Sequence, residues 1–215
     1  MKLHRSEIVA FVMILLSFVV GWYFYPMLPE RVASHWNAQG DVNGTMPRFW
    51  GAFLMPLIVL IILAIFMVVP RIDPKRENIE KFRKYLDAFI IVISLFFIYV
   101  YGLTLALNLG YHFSLIPHLL PALAVLLYSA GLLISKSEQN WTIGIRTPWA
   151  LSSETVWRKT HKLGGMLFKI AAVVVLVGTA FPGAELWFIL FPILMAALVP
   201  TVYSYFWYRD EKRQN

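Results

Sequence analysis

Six long apolar runs alternate with shorter polar stretches along the chain. Each run is near the roughly 20 residues that a helix needs to cross a bilayer. Hydrocarbon offers backbone groups no hydrogen-bond partner, so such runs are expected to be helical. The predicted spans are residues 8–25, 49–69, 86–109, 116–134, 163–181 and 187–206. The pattern therefore predicts an all-α integral membrane protein, a six-helix transmembrane bundle that forms a single membrane domain over residues 1–215.

Three polar segments separate these spans by more than a tight turn. They are residues 26–48, 70–85 and 135–162, and the other connections are short. Helical hairpins need only a few connecting residues. The longer segments are therefore the candidates for folded extramembrane structure: one larger outer segment and two larger cytosolic loops, as the charge distribution assigns them.

The composition supports a membrane protein. The chain is 59% hydrophobic and 14% charged, whereas soluble domains are about 45–50% apolar and about 25% charged. The chain has no cysteine, which excludes disulfides, thiolate metal sites and cysteine nucleophiles. The formal charge of +7 would favour a nucleic-acid partner in a soluble protein, so the positions of the cations decide its meaning.

The lysines and arginines concentrate on one side of the predicted bundle. Of the 19 such residues, only Arg31, Arg48 and Lys169 lie outside the N-terminus, the 70–85 loop, the 135–162 loop and the C-terminal tail. Cytoplasmic loops carry the excess of Lys and Arg. The distribution predicts that both termini are cytosolic and that residues 26–48 lie outside. It also argues against direct nucleic-acid binding, because the charge is divided among separate loops.

The outer segment contains the first group of candidate binding residues. A short helix or strand is predicted near residues 31–36, followed by a turn at residues 41–44, where Asp, Asn and Gly cluster. The candidate binding residues of this segment are His35, Trp36, Asn37, Gly40 and Asp41. His35 and Asp41, joined by His112 and His118, are also considered as metal ligands. They lack the fixed ligand spacing of a zinc motif, and no metal or other cofactor is predicted.

The two cytosolic loops have different local predictions. In residues 70–85, Asp73 and Pro74 predict a turn before an amphipathic helix, with its charged face free for anionic lipid or a protein partner. In residues 140–165, Thr147 precedes Pro148 and should be extended. Ser152 or Ser153 should begin a helix that ends near Lys162.

The second loop carries the second group of candidates. Three tryptophans recur at intervals of eight and are predicted to anchor the loop at the headgroup level. The candidates for a cytosolic motif or relay surface are Asn140, Trp141, Gly144, Arg146, Thr147, Pro148, Trp149, Ser153, Trp157 and His161.

Recognised catalytic motifs are absent from the sequence. It contains no HExxH zinc motif, no glycine-rich phosphate loop and no GxSxG motif. Ser153 and His161 are the nearest approach to a nucleophile and base, but Ser-Ser-Glu more often begins a helix. No catalytic residue and no enzymatic activity are predicted.

Several stretches together resemble a known family. LPERVASHWNAQGDVNG followed by MPRFWGAFLMP resembles a membrane domain of unknown function with an LP…HWN..G pattern. IDPKRENIEKF and GIRTPWALSSETVWRKTH resemble the SdpI family. The resemblance covers nearly the whole chain in order.

The resemblance implies a multi-pass protein of the bacterial cytoplasmic membrane that protects against a secreted membrane-active toxin peptide. It also implies a sensing role, in which a small cytosolic repressor is held at the membrane. The expected partners are the lipid bilayer, an extracellular toxin peptide and that repressor. The alternatives are a small-molecule or lipid transporter, and a membrane enzyme without a recognised motif. A transporter would show a continuous polar cavity at mid-membrane.

Overall fold

The computed structural model describes residues 3–37 and 40–214. Lys2, one of the cations behind the orientation prediction, and residues 38–39 of the outer segment lie outside the described residues. The described part contains helices α1 Arg5–Phe24, α2 Arg48–Ile72, α3 Arg76–Lys81, α4 Arg83–Asn108, α5 Leu115–Lys136, α6 Pro148–Ser152, α7 Glu154–Val177 and α8 Glu185–Gln214, and strands β1 Arg31–Trp36 and β2 Val42–Pro47. The 3₁₀ turns Tyr25–Met27 and Gly178–Ala180 follow α1 and α7.

Six of these helices are long and apolar enough to cross a membrane: α1, α2, α4, α5, α7 and α8. Most of their side chains point away from the protein interior, and the exposed ones are mainly large and apolar. A soluble monomer rarely exposes so much contiguous apolar surface. The prediction of a helical bundle with six such helices is therefore confirmed. The prediction of an all-α chain is confirmed in part: the chain is mostly helical, but β1 and β2 form an antiparallel hairpin.

The long helices pack in two groups of three. Helices α1, α2 and α4 contact one another, α5 packs on α7, and α7 packs on α8. Contacts between α4 and α5 join the two groups. Each group has its own apolar core, one around Ile14, Leu63 and Ile90, the other around Leu120 and Val175.

Small residues allow the closest helix crossings. A Cβ atom at Gly21 of α1 would lie 2.6 Å from the Ala52 carbonyl oxygen and 2.6 Å from the Tyr101 hydroxyl. At the crossing of α5 and α7, a Cβ on Gly165 would lie 2.6 Å from the Gly131 carbonyl oxygen. Glycine pairs of this kind bring helix backbones together in membranes. The Gly164-Gly165 pair thus allows close packing of α7 on α5 through its second glycine.

The helices also extend past the predicted spans. Helix α2 continues through Pro70 to Ile72, and α7 runs without a break from Glu154 to Val177. The prediction of a helix that ends near Lys162 is therefore wrong. Residues 76–108 form α3 and α4, which break at Phe82, rather than one amphipathic helix entering a span. Ile79 and Phe82 form a buried face, as their spacing suggested.

A buried cluster of charges joins the first group of helices at the end where α1 begins. The Glu7 carboxylate lies 2.7 Å from an Arg71 guanidinium nitrogen and 2.8 Å from one of Arg83. Arg83 also pairs with Asp87 at 2.8 Å, and Asp87 accepts a hydrogen bond from the Ser6 hydroxyl. Glu7 is 1% exposed. The Glu7 carboxylate thus links the ends of α1, α2 and α4 through ion pairs.

The sequence pattern does not reveal this cluster. Arg71 and Arg83 read there only as markers of topology, and the position of Asp87 near the inner end of its span makes it a candidate partner for Lys169. That pairing is wrong, since Asp87 is engaged by Arg83 and Ser6.

We expect Glu7→Gln to destabilise the protein by about 3 kcal/mol, because it removes the buried negative charge that both Arg71 and Arg83 contact. The measurement is the thermal unfolding midpoint of the purified protein in lipid nanodiscs. Asp210→Asn is the matched control: its partner Arg209 lies at 3.5 Å and both side chains are exposed, so its midpoint should not move. Equal midpoints for the two variants would show that the cluster does not stabilise the bundle.

Candidate functional site

The β-hairpin lies at the end of the bundle where α1 ends and α2 begins, opposite the charge cluster. Val32 pairs with Met46 and Ala33 with Thr45, and the register then shifts so that His35 faces Gly44. Ser34 therefore has no partner on β2. An extra residue of this kind is a β-bulge, which bends the strand and redirects a side chain.

Asn108, the last residue of α4, fixes the hairpin to the bundle. Its side-chain oxygen accepts from the Ala33 N–H at 2.7 Å, and its amide nitrogen donates to the Ala33 carbonyl at 3.1 Å. The same nitrogen donates to the Thr104 carbonyl at 2.9 Å. On the α2 side, a Cβ at Gly51 would overlap a Val32 methyl carbon, so only glycine allows the strand this close. The hairpin is held by two helices.

The outer candidate residues sit together around the hairpin turn. Asn37 and Asp41 close the turn, with the Asp41 N–H donating to the Asn37 side-chain oxygen at 2.8 Å and the Asn37 N–H to the Asp41 carbonyl at 2.9 Å. Gly40, with φ +86°, supplies the left-handed residue. His35 is exposed and its ring lies 2.5 Å from the Asn43 side-chain oxygen; Trp36 is half-buried.

The hairpin settles two predictions from the sequence. Of the short helix or strand predicted near residues 31–36, the structure has the strand. The turn predicted at residues 41–44 is wrong, because Val42, Asn43 and Gly44 belong to β2. Within the described residues, no three His, Cys, Asp or Glu side chains are grouped so as to hold a metal ion. His118 instead contacts the Ser114 carbonyl at 2.8 Å.

A cavity of about 150 Å³ lies between the hairpin and the helices α2 and α4. Its walls are mainly apolar, from Leu28 and Val32 of the hairpin region to Leu54 and Leu105 of the helices. No sequence pattern indicates it, because its walls come from three separate stretches of the chain, within residues 28–34, 46–58 and 101–108. The lining residues are Leu28, Val32, Ala33, Ser34, Met46, Trp50, Gly51, Leu54, Met55, Ile58, Tyr101, Thr104, Leu105 and Asn108.

At the opposite end, residues 137–153 form a compact surface that we call the platform. Asn140 is fully buried at its centre. Its side-chain oxygen accepts from the N–H groups of Thr142 at 2.9 Å and Ile143 at 2.6 Å, and its amide nitrogen donates to the carbonyls of Glu138 and Ile143. The Asn140 side chain thus provides hydrogen bonds to backbone groups of this loop, which no helix or strand provides here.

Hydrogen bonds tie the platform to the turn between α2 and α3. The buried Asp73 carboxylate accepts from the Trp141 N–H at 3.0 Å and from the Lys75 N–H at 2.7 Å. The Gln139 side-chain oxygen accepts from the Lys75 ammonium group, and the Gln139 backbone carbonyl accepts from the Asn78 side-chain amide at 2.8 Å. The two polar segments 70–85 and 135–162 are therefore one connected structure.

Trp157 and His161 form the base of the platform. The Trp157 indole is fully buried and donates to the Ser137 carbonyl at 2.9 Å. The imidazole of His161 stacks on it at 3.9 Å between ring centroids. The predicted headgroup anchoring is wrong for Trp157, whereas Trp141 is 52% exposed. Trp149 is half-buried and contacts Tyr205 edge-on.

His161 is committed to the loop above it. The Ile145 N–H donates to Nε2 at 2.9 Å, so Nδ1 carries the ring proton and donates to the Trp157 carbonyl at 2.8 Å. Gly144 packs directly on this ring. It has φ +124°, and a Cβ there would overlap Nε2.

Thr147 and Ser153 connect the platform to α8. Thr147 is extended, as predicted, and its hydroxyl accepts from the Ala150 N–H at the start of α6, which begins at Pro148. The same hydroxyl contacts Ser204 of α8 at 2.9 Å. Ser153 begins α7, as predicted, by accepting from the Val156 N–H, and it donates to Glu211 at 3.0 Å.

The suggested pairing of Ser153 with His161 does not form, since each has the other partners given above. Arg146 is exposed and donates to the Trp141 carbonyl at 3.0 Å. The ten inner candidates are therefore brought together, while the outer candidates lie at the other end of the bundle. Sequence reasoning missed Gln139 and Asn108, because the sequence does not show which groups an amide side chain beside or within an apolar run will hydrogen-bond.

Comparisons with known proteins agree with the family resemblance. Residues 136–204 match the model of the SdpI/YfhL protein family, and residues 12–69 match a domain of unknown function, DUF1648. The chain is also 25% identical over 206 residues to "Immunity protein SdpI" of Bacillus subtilis (strain 168), covering 95% of this chain and 97% of that protein. No solved structure matches the chain significantly. The resemblance to the SdpI family is thereby confirmed.

We expect Gly144→Ala to destabilise the platform more than Gly110→Ala destabilises its turn. Both glycines have positive φ, +124° and +94°, but Gly110 has no atom within 4 Å of the place that an added methyl group would take, whereas Gly144 faces His161. Gly110→Ala should cost about 1 kcal/mol from backbone strain alone. Gly144→Ala should cost more and raise the solvent accessibility of Trp157, measured by fluorescence quenching with acrylamide. Equal unfolding midpoints and equal quenching would contradict the packing described.

Proposed function

We propose that this protein is a multi-pass immunity protein of the cytoplasmic membrane, which protects its cell against a secreted membrane-active toxin peptide. The observation that carries the proposal is the similarity to an immunity protein over 95% of the chain. Six helices able to cross a membrane agree with it. Protection at the bilayer requires a protein that lies where such a peptide acts.

We infer that the hairpin faces outside and that both termini are cytosolic. The hairpin end carries only Arg31 and Arg48, while the platform end carries nearly all other cations. Arg71 and Arg83 are paired with acidic groups, but acidic residues contribute little to the orientation rule. The exposed face of α7 supports the same assignment, since it changes from Arg158, Lys159 and Lys162 to Met166 and Ile170 along the helix.

The hairpin is the proposed contact for the extracellular peptide. Its turn presents the five outer candidates His35, Trp36, Asn37, Gly40 and Asp41 on a support fixed by Asn108 and Gly51. A rigid support lowers the conformational entropy lost on binding. A displacement of the hairpin would be transmitted through Asn108 to the C-terminal end of α4. The other end of α4 begins at the charge cluster near the platform.

The platform and α3 are the proposed cytosolic relay, with a small repressor protein as partner. Asp73 and Gln139 join the two loops, so a displacement of α2 or α4 would be transmitted to both. The cations of this end are distributed over several elements, and direct nucleic-acid binding is not part of the proposal.

Neither alternative has comparable support. A transporter needs polar groups along a path at mid-membrane, whereas the packed interior here is apolar around Val59, Leu63 and Ile90. A hydrolytic enzyme using Ser153 would need His161 as its base, and that ring is committed to Ile145 and Trp157. We therefore propose a non-enzymatic role.

The orientation is tested with single cysteines, because the chain has none of its own. Asn43→Cys on the hairpin should react with a membrane-impermeant maleimide in intact cells. Arg146→Cys on the platform should react only after the membrane is permeabilised. The reverse result would place the hairpin in the cytosol and remove the basis for an extracellular contact.

The function is tested by expressing the protein in toxin-sensitive bacteria and measuring the peptide concentration that kills half of the cells. Expression should raise this concentration for at least one membrane-active peptide. Asn108→Ala should lower it again by roughly tenfold, because the two hydrogen bonds that hold the hairpin to α4 are lost.

Leu194→Ala on the exposed face of α8 is the matched control and should protect like the original chain at equal protein level. Unchanged killing by a panel that includes the peptide toxin of a related immunity system would contradict the proposed function.

A further inference from the structure

We propose that the cavity beneath the hairpin binds one large apolar side chain of the toxin peptide. This inference rests on the proposed function and identifies the part of the hairpin region that binds the peptide. It moves the main contact from the polar turn to the apolar space behind β1. The chemical class of the ligand is a peptide with an exposed aromatic or branched aliphatic side chain.

The size of the cavity fits a single ring. Its volume is about 150 Å³, and an apolar protein cavity of about 150 Å³ is known to bind benzene. Two contacts fix its walls, so the space is preformed. Gly51 packs closely against Val32, and the buried Tyr101 hydroxyl donates to the Ala52 carbonyl at 2.7 Å. A preformed apolar pocket with few polar groups is typical of ligand sites.

Among the described residues, the hydroxyl and carboxamide side chains in its walls leave one such group for a ligand. Thr104 donates to the Tyr101 carbonyl at 2.8 Å, and the Asn108 amide is engaged with Ala33 and Thr104. Ser34 differs: it is the bulge residue without a partner on β2, and its hydroxyl makes no hydrogen bond within the part of the chain that the structure describes. One hydroxyl at the wall of an apolar cavity therefore remains able to donate and accept.

This combination favours a peptide over a lipid chain. A peptide presents backbone N–H and C=O groups beside each side chain, so an apolar side chain can fill the cavity while its backbone meets Ser34. An acyl chain has no polar group at that position and is longer than a space for one ring. The Ser34 hydroxyl would then stay unpaired against hydrocarbon.

The position of the cavity suits a peptide that arrives within the membrane. Trp50 lines the cavity and also lines a groove of aromatic side chains on the outer surface of α1 and α2. That groove is formed by Phe18, Trp22, Phe49, Trp50, Phe53 and Leu57. Aromatic side chains lie at the level of the lipid headgroups, where membrane-active peptides accumulate. A peptide held in the groove is thus next to the cavity.

The first test fills the cavity by mutation. Thr104→Phe places a ring inside it, and Thr104 has only an intrahelical hydrogen bond to lose. We expect the protective effect, measured as the half-killing concentration, to fall by about 10- to 100-fold, the affinity carried by one buried apolar side chain. Leu95→Phe on the exposed face of α4 is the matched control and should protect like the original chain.

The second test fills the cavity after folding, so a folding defect cannot explain the result. Cells expressing Ser34→Cys are treated with benzyl methanethiosulfonate and then challenged with peptide. The cysteine-free original chain is the control for other effects of the reagent. Protection should fall at least tenfold relative to untreated Ser34→Cys cells, and methyl methanethiosulfonate, which adds a much smaller group, should cause a smaller loss.

The outcomes separate the two proposals. If the original chain protects, and Thr104→Phe and benzyl-treated Ser34→Cys protect equally well, the cavity site is overturned and the immunity function stands. Failure of the benzyl reagent to react with Ser34→Cys, in cells and in nanodiscs, would indicate a space already occupied by lipid and would also overturn it. Absence of protection by the original chain would overturn the immunity function itself.

Discussion

Every polar group that enters this bundle must find its partner within the protein, because hydrocarbon supplies none. The chain meets this requirement at three places with the same device, a side chain that serves several groups at once. Glu7 receives two guanidinium groups, Asn108 serves both backbone groups of Ala33, and Asn140 satisfies four backbone groups of its own loop. The positions of the charge cluster, the hairpin and the platform follow from these three residues.

Local features of the fold could be predicted from the sequence, because their causes lie within a few residues. Length and hydropathy define the six long helices, Thr147 is extended because Pro148 follows it, and Ser153 begins α7 by capping it. Prediction failed where the cause lies far along the chain. The charge cluster joins Glu7 to Arg83, and a count of cations treats Arg83 as a marker of the cytosolic side rather than as a buried partner.

The candidate sites follow the same division. The inner candidates were found because one continuous stretch supplies them, but their roles differ from those expected. Trp157 is a buried support and His161 a hydrogen-bond acceptor for Ile145, rather than a membrane anchor and a base. The cavity behind the hairpin could not be found from sequence, since Val32, Gly51 and Thr104 are brought together only when the strand, α2 and α4 have packed.

The buried position of Glu7 has a consequence for the order of events during synthesis. Its second guanidinium partner is 76 residues further along the chain. At translation rates of about 5–20 residues per second, α1 waits roughly 4 to 15 s for Arg83. Its first guanidinium partner, Arg71, is 64 residues further along, so the carboxylate has neither partner for most of that interval. Helix α1 therefore completes its packing only after the start of α4 has left the ribosome, although α1 is the first long helix of the chain.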